Sequence, residues 1–261
     1  MRSKHLVFNL IFSLAGGFLI LFIVLPLVST LLATTPLDFL ESFTDPELLN
    51  SIELTFAAAA LATLAAIVTG VPLAYLMARR NFRGKRLLDA VINLPLVIPH
   101  TAAGVALLLV FGGHGLLGQW LVPFGITFTD NVAGIVVAML FVSLPFLVNM
   151  SRESFALTDE ELERVALTDG ASLWQAFWHV TLPQAWRGVL GGAVMMWARG
   201  ISEFGAVVIL AYHPKIAPVL VYERYEGFGL KAAEPATLLL ILVAMIAFIL
   251  LRLELLPGGR S

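Results

Sequence analysis

The sequence predicts an all-α integral membrane fold: six transmembrane helices, both termini on the cytoplasmic side, and a cytoplasmic two-helix loop between the fourth and fifth spans. Three observations lead there. Hydrophobic residues fill 59% of the 261 positions and charged ones only 13%, and the mean hydropathy is +0.91, which excludes an ordinary soluble globule. Uncharged apolar runs recur that are long enough to cross about 30 Å of hydrocarbon, for which about 20 helical residues suffice. Lysine and arginine divide very unequally between alternate connections, as they do when they are retained on the cytoplasmic side. The net charge of −2 decides little, because placement rather than the sum orients a membrane chain.

The first span is expected within Leu6 to Leu37, a run without a charged residue. Arg2 and Lys4 precede it as in a secretory signal, but the run far exceeds the 7–15 residues of a signal core, so a retained anchor is expected. Leu54 to Ala78 gives the second span. The third starts at Ala90 and ends near Phe111, where Gly112, Gly113, Gly118 and Pro123 break the apolar run. Asn131 to Ser151 gives the fourth, Val189 to Tyr212 the fifth and Pro235 to Leu251 the sixth. With the N-terminus inside, the inner segments hold Arg2, Lys4, Arg79, Arg80, Arg83, Lys85, Arg86, Arg152, Arg164, Arg187, Arg252 and Arg260. The outer ones hold only Lys215, Arg224 and Lys231. Twelve against three is the positive-inside pattern. Residues 1–261 are expected to form a single transmembrane domain, with the cytoplasmic loop inside it at 152–186.

That loop contains the one long polar interruption, Thr158 to Pro183. Thr158 with Glu161, and Ser172 with Gln175, have the spacing of capping boxes, which predicts two short helices. Gly170 between them supplies a left-handed helix end. Leu162, Val165 and Ala166 make a narrow apolar stripe on the first helix; Trp174, Phe177 and Trp178 load the second. Such a segment either packs on its own protein or docks a small apolar face onto a soluble partner.

Enzyme chemistry finds no support. With no cysteine, disulfides and thiolate chemistry are excluded. The histidines at 5, 100, 114, 179 and 213 form no H-E-x-x-H pair. Gly200-Ile201-Ser202-Glu203-Phe204-Gly205 misses the spacing of a serine nucleophile elbow by one residue. Gly84-Lys85 is followed by Arg86 and has Arg79 five places before it, so no phosphate-cradling loop is present and the chain is not expected to bind ATP. No cofactor, metal or nucleic acid is expected. Within the spans, Arg199 and Glu203 are the conspicuous charges, because ionised groups in hydrocarbon are tolerated mainly where they pair or face a water-filled route. At i and i+4 they can neutralise each other, or with Ser202 they can line a path in which Arg199 attracts an anion. Pro95, Pro99, His100 and Thr101 in the third span pose the same choice, since a proline frees carbonyls that line cavities.

The loop resembles the cytoplasmic motif of ABC importer permeases, E-A-A, three residues, Gly, nine residues, I-x-L-P. Arg164-Val165-Ala166 stands in the first place, Gly170 follows after three residues, and Val180-Thr181-Leu182-Pro183 after nine more. The departures are Arg164 for Glu, with Glu163 one place earlier, Val165 for Ala and Val180 for Ile. Met196 to Val207, Ala211-Tyr212-His213-Pro214, Val221 to Tyr225 and Leu94 to Thr101 resemble the permeases of molybdate/tungstate importers, with sulfate permeases close by. The resemblance implies a homodimer, two separate ATPase subunits on the cytoplasmic side, an extracytoplasmic oxyanion-binding protein and a multi-pass place in the plasma membrane. It implies coupling through Glu163, Arg164, Val165, Ala166, Gly170, Ala171, Val180, Leu182 and Pro183. The translocation pathway is expected at Pro99, His100, Thr101, Arg199, Ser202 and Glu203. An ion-coupled anion transporter, the rival without an ATPase, usually shows repeated polar sites in two halves, and none is found.

Overall fold

The computed structural model describes the backbone of residues 2–255 and the side chains of residues 8–251 and Leu253. The charges that orient the termini, Arg2, Lys4, Arg252 and Arg260, lie outside the described side chains. Among the described residues there is no strand. The helices in chain order are α1 (Arg2–Ala33), α2 (Pro36–Ser42), α3 (Pro46–Arg79), α4 (Lys85–Asn93), α5 (His100–Phe111), α6 (Gly118–Leu121) and α7 (Val132–Leu157). They continue as α8 (Glu160–Thr168), α9 (Leu173–Ala176), α10 (Leu182–Ile201), α11 (Gly205–Leu210), α12 (Ala217–Phe228) and α13 (Leu230–Leu255). Among the described residues four helices are long and apolar enough to cross a membrane, and the bent pair Lys85–Leu96 with His100–Phe111 makes a fifth span if it is counted as one.

The chain falls into two compact units. One takes the residues up to Leu49 together with Val221–Leu242. In it, Thr35 caps α2 by accepting from the Asp38 amide at 3.2 Å. Pro26 lies inside α1, and its carbonyl is taken up by the Thr30 hydroxyl at 2.9 Å. Asp45, just before α3, accepts the Leu48 amide at 3.1 Å and the Arg224 guanidinium at 2.6 Å. Burial alone would raise the Asp45 carboxyl, but the Leu48 amide and Arg224 outweigh it and hold its pKa below the usual value of 3.8. A lowered folded pKa gives stability that is present at neutral pH and lost as pH falls below that value. Asp45→Asn is therefore expected to lower thermal stability at pH 7, by about 1 kcal/mol for a partly exposed pair, and the difference is expected to shrink as pH falls below 3.8. Melting curves of the two proteins across that range check it.

The second unit comprises Asn50–Leu220 and the chain from Val243 on. Its core forms two clusters in which alanines alternate with larger apolar side chains. Ala58, Ala59, Ala62, Ala138, Met139 and Val207 represent one; Ala66, Ala74, Met77, Phe155, Ala185 and Met196 represent the other. Helices surrounded by lipid gain little from hiding apolar area, so close backbone approach and dispersion hold them together. Gly188 shows how close: a Cβ there would lie 2.4 Å from the Ser154 Cβ, which sets α10 against α7.

Two expected spans are not continuous helices. The third turns by 112° between α4 and α5, because Pro95 and Pro99 remove two amide donors and Pro99 pushes Ile98 away from helical geometry. The fifth starts at Leu182, stops at Ile201 and resumes as the six residues of α11. At that break the Glu203 carboxylate accepts the Ala206 amide at 2.9 Å, and Gly205 admits His100, whose Cβ would stand 2.8 Å from an added Cβ.

Candidate functional site

The segment between α7 and α10 has the two-helix form that its spacing predicts, with one correction. Asp159 caps α8, its side chain accepting the Glu161 amide at 2.8 Å. Thr158 instead ends α7, donating its hydroxyl to the Phe155 carbonyl at 2.8 Å. Both residue types are good caps, and the competing bond to α7 decides between them. Gly170 has φ +94°. Its amide bonds to the Leu167 carbonyl at 3.2 Å and the Ala171 amide to the Ala166 carbonyl at 3.0 Å, the paired bonds of a Schellman end. Ser172 and Gln175 form the expected reciprocal cap, at 3.2 and 2.8 Å. The second helix is a single α turn, which runs through a wider π turn, Phe177–Thr181, into α10.

Glu163 is turned inward. Its carboxylate accepts from the Tyr75 hydroxyl at 2.5 Å, from Arg79 Nε at 3.2 Å and from the Thr181 hydroxyl at 2.9 Å. The side chains of Glu163 and Arg79 are 13% and 8% exposed, so this ion pair is largely desolvated. Arg79 also donates to the Thr158 hydroxyl at 2.5 Å. One carboxylate thus joins the end of α3, the middle of α8 and the start of α10. Phe177 packs beside it, 5.0 Å from the Tyr75 ring. Arg164, by contrast, points outward, 72% exposed, and among the described residues pairs with Glu160, at 3.0 Å.

The outward face is apolar and indented. Leu162, Val165, Leu173, Trp174 and Trp178 are exposed. Between α8 and α9 lies a shallow concavity of 440 Å³ whose lining includes Ala166, Gly170, Ala171, Ala176 and Val180. Leu182 packs on the core beneath, and Pro183 stands exposed in the first turn of α10. The nine residues expected to couple therefore divide between an inward clamp, a dented outer face and the root of α10.

The expected pathway residues come together at the two helix breaks. Arg199 donates to Glu203 at 2.9 Å, reaches the His100 ring at 2.9 Å and donates to the Ser202 hydroxyl at 3.2 Å. His100 Nδ1 lies 3.1 Å from Glu203. Glu203 is fully buried, Arg199 is 20% exposed and the His100 side chain 41%. Pro99, Thr101 and Ser202 are exposed beside them. The pairing that neutralises Glu203 and the exposed polar rim coexist. No side chain caps the start of α5, which leaves a partial positive charge at that helix end.

Sequence reasoning missed Tyr75, Arg79 and Thr181 as the partners of Glu163: Arg79 enters it as a positive charge and Thr181 as the unspecified place of the I-x-L-P motif, neither as a contact of Glu163. These residues come from distant positions in the chain, and no local spacing signals them. Among the described residues no group of acidic or histidine side chains could hold a metal ion.

Residues 70–254 match the family described as binding-protein-dependent transport system inner membrane component. Molybdate/tungstate transport system permease proteins of Pyrococcus furiosus and Pyrococcus abyssi are 42% and 40% identical, over 94% and 93% of this chain and of theirs. The sulfate transport system permease protein of a Synechocystis strain is 34% identical over 90% of this chain and 85% of its own. In fold, a bacterial ABC transporter involved in the import of the acidic polysaccharide alginate superposes with a TM-score of 0.78 at 15% identity, covering 99% of this chain and 98% of the other. A second structure of an alginate ABC transporter, in complex with an alginate pentasaccharide-bound periplasmic protein, gives 0.76 at 17% identity over 97% and 95%. An all-helical multi-pass chain with this loop, matched along nearly its whole length, belongs to the inner membrane components of binding-protein-dependent transport systems, the permease subunits of ABC transporters.

Proposed function

We propose that this chain is the permease through which molybdate or tungstate, delivered by an extracytoplasmic binding protein, crosses the membrane by alternating access. Two copies form the conduit, and two ATPase subunits dock on the cytoplasmic 152–186 segment. The chain acts as one permease domain of six spans with both ends inside, the broken α10–α11 stretch counting as the fifth. The family match crosses both compact units, and the twelve-to-three distribution of positive charge supports the orientation. One observation carries the substrate: 40% and 42% identity over 93% and 94% of the chain to permeases of molybdate/tungstate systems. The cation and free amides at Arg199 and the start of α5 suit a tetrahedral dianion passing by, without a cage that would hold it and slow release.

ATP-driven closure of the ATPase pair moves the dented face, and the Glu163 clamp passes that motion to α3 and α10 together. Sulfate is the second reading, favoured by the 34% identical sulfate permease. Copurification with an ATPase and a binding protein, followed by competition of molybdate and sulfate against labelled tungstate uptake, tests both. Uptake that follows a proton gradient and ignores ATP would overturn the assignment.

A role for Arg199 in the path has its own check. Arg199→Gln removes the cation, and Arg199→Lys keeps it. In proteoliposomes with equal amounts of folded protein, the glutamine variant is expected to take up oxyanion several-fold more slowly and the lysine variant at near the parent rate. Equal rates for all three would leave Arg199 with a purely neutralising role.

A further inference from the structure

The turn between α3 and α4 carries chemistry that neither coupling nor translocation uses. From Arg79 to Arg86 it reads Arg-Arg-Asn-Phe-Arg-Gly-Lys-Arg. Arg79 is committed to Glu163, but Arg80, Arg83 and Arg86 are exposed and no ion pair holds them among the described residues. Lys85 reaches only Asn81, at 3.4 Å. A concavity of 580 Å³ opens here, walled by Asn81, Phe82, Lys85, Arg86, Asp89 and Arg152. Its one carboxylate, Asp89, is already paired with Arg152, which leaves the remaining charge positive.

The neighbouring helix adds a second, independent feature. α4 is strongly amphipathic, with Leu87, Leu88, Val91 and Ile92 on one side and Lys85, Arg86, Asp89 and Asn93 on the other. Ile92 is buried, and Leu88 packs on the core with it. Beside them Leu87 and Val91, with Leu94 in the turn that follows, at i, i+4 and i+7, are 70%, 56% and 52% exposed, and Phe82 is 44% exposed. Since the pair α4–α5 bends by 112°, α4 lies nearly along the membrane plane when α5 stands upright. A helix in that attitude, with basic residues at one end and a bare apolar row, has the form of an interfacial element. The Arg79–Glu163 pair fixes the side: this turn lies at the same membrane face as α8.

We propose that this turn and α4 bind an anionic phospholipid of the cytoplasmic leaflet, its headgroup phosphate against Arg83, Lys85 and Arg86 and its acyl chains along Leu87, Val91 and Leu94. A free phosphate shares the headgroup chemistry but makes no use of the apolar row. A basic residue near an anionic membrane surface contributes about 1 kcal/mol, roughly a fivefold change in binding per charge. The site is independent of which oxyanion is carried.

Native mass spectrometry of the purified full-length chain, offered phosphatidylglycerol and phosphatidylcholine in equal amounts, tests the proposal. The parent is expected to retain phosphatidylglycerol preferentially, and R83Q/R86Q to lose that preference by roughly tenfold or more. R83K/R86K is expected to keep it, and gel filtration of all three confirms an intact fold. Added salt is expected to weaken the preference, because exposed charges are screened. Equal retention of the two lipids by the parent, or an unchanged preference in the glutamine variant, overturns the proposal. Displacement of phosphatidylglycerol by excess inorganic phosphate overturns it in favour of a soluble anion. None of these readings involves uptake, so failure here and failure of the transport assignment are separable.

Discussion

Gly170→Val is expected to cut oxyanion uptake at least tenfold while leaving the chain in the membrane and bound to its ATPase. The residue closes α8 at φ +94°, and nothing lies within 4 Å of an added Cβ. Space is therefore not the obstacle. A left-handed backbone costs an L residue about 1–2 kcal/mol, and a β-branched side chain is among the worst placed to adopt it. The chain relieves that strain by opening the Schellman bonds at Leu167 and Ala166, which changes the angle between α8 and α9 and reshapes the concavity that Gly170 lines. Gly170→Asn, which tolerates the left-handed region, is expected to keep most uptake. Uptake and ATP hydrolysis measured together in proteoliposomes separate the outcomes: hydrolysis without delivery supports a coupling hinge, and full transport by the valine variant rejects it.

Glu163→Ala is expected to be the second severe change, and for a different reason. Its carboxylate holds Tyr75, Arg79 and Thr181 at once. Removing it leaves the guanidinium of Arg79, 8% exposed, without its main counter-ion, a loss on the order of 3 kcal/mol for a buried pair broken on one side. The outer face of α8 stays intact, so docking is expected to survive while motion no longer reaches α3 and α10, and uptake falls tenfold or more. Arg164→Ala, one residue on, breaks only a solvent-exposed i,i+4 pair with Glu160, worth about 0.5 kcal/mol, and is expected to change uptake less than twofold. Equal effects at the two positions would show that the outer face, not the inward clamp, carries the signal.

The contrast between these neighbours shows how far the sequence could be read. Ser172 with Gln175 and Gly170 were legible because capping and a left-handed helix end are local, settled within three or four residues. Thr158 was misread as a cap because its hydroxyl bonds back into α7, a competition between two helices that spacing does not reveal. The third span was recognised from its apolar run and its prolines, but not its 112° turn, since a proline permits a bend without fixing its angle. The apolar run from Val189 to Tyr212 predicts one fifth span but not its break after Ile201, and Arg199 and Glu203 form their i,i+4 pair across that break. His100, from the other broken span, completes that cluster and turns two local features into one.

By itself the sequence determined that this chain is an all-helical membrane protein and where a polar two-helix segment interrupts the spans. Each of those follows from hydrophobicity, charge and short-range backbone bonding, which act residue by residue. Only the tertiary structure decided that Glu163 faces inward to Tyr75, Arg79 and Thr181, that Arg164 faces out, and that the two broken helices meet at His100 and Glu203. Those pairings exist because folding removes water from charges far apart in the chain, and a desolvated charge takes whichever opposite group the packing brings within reach.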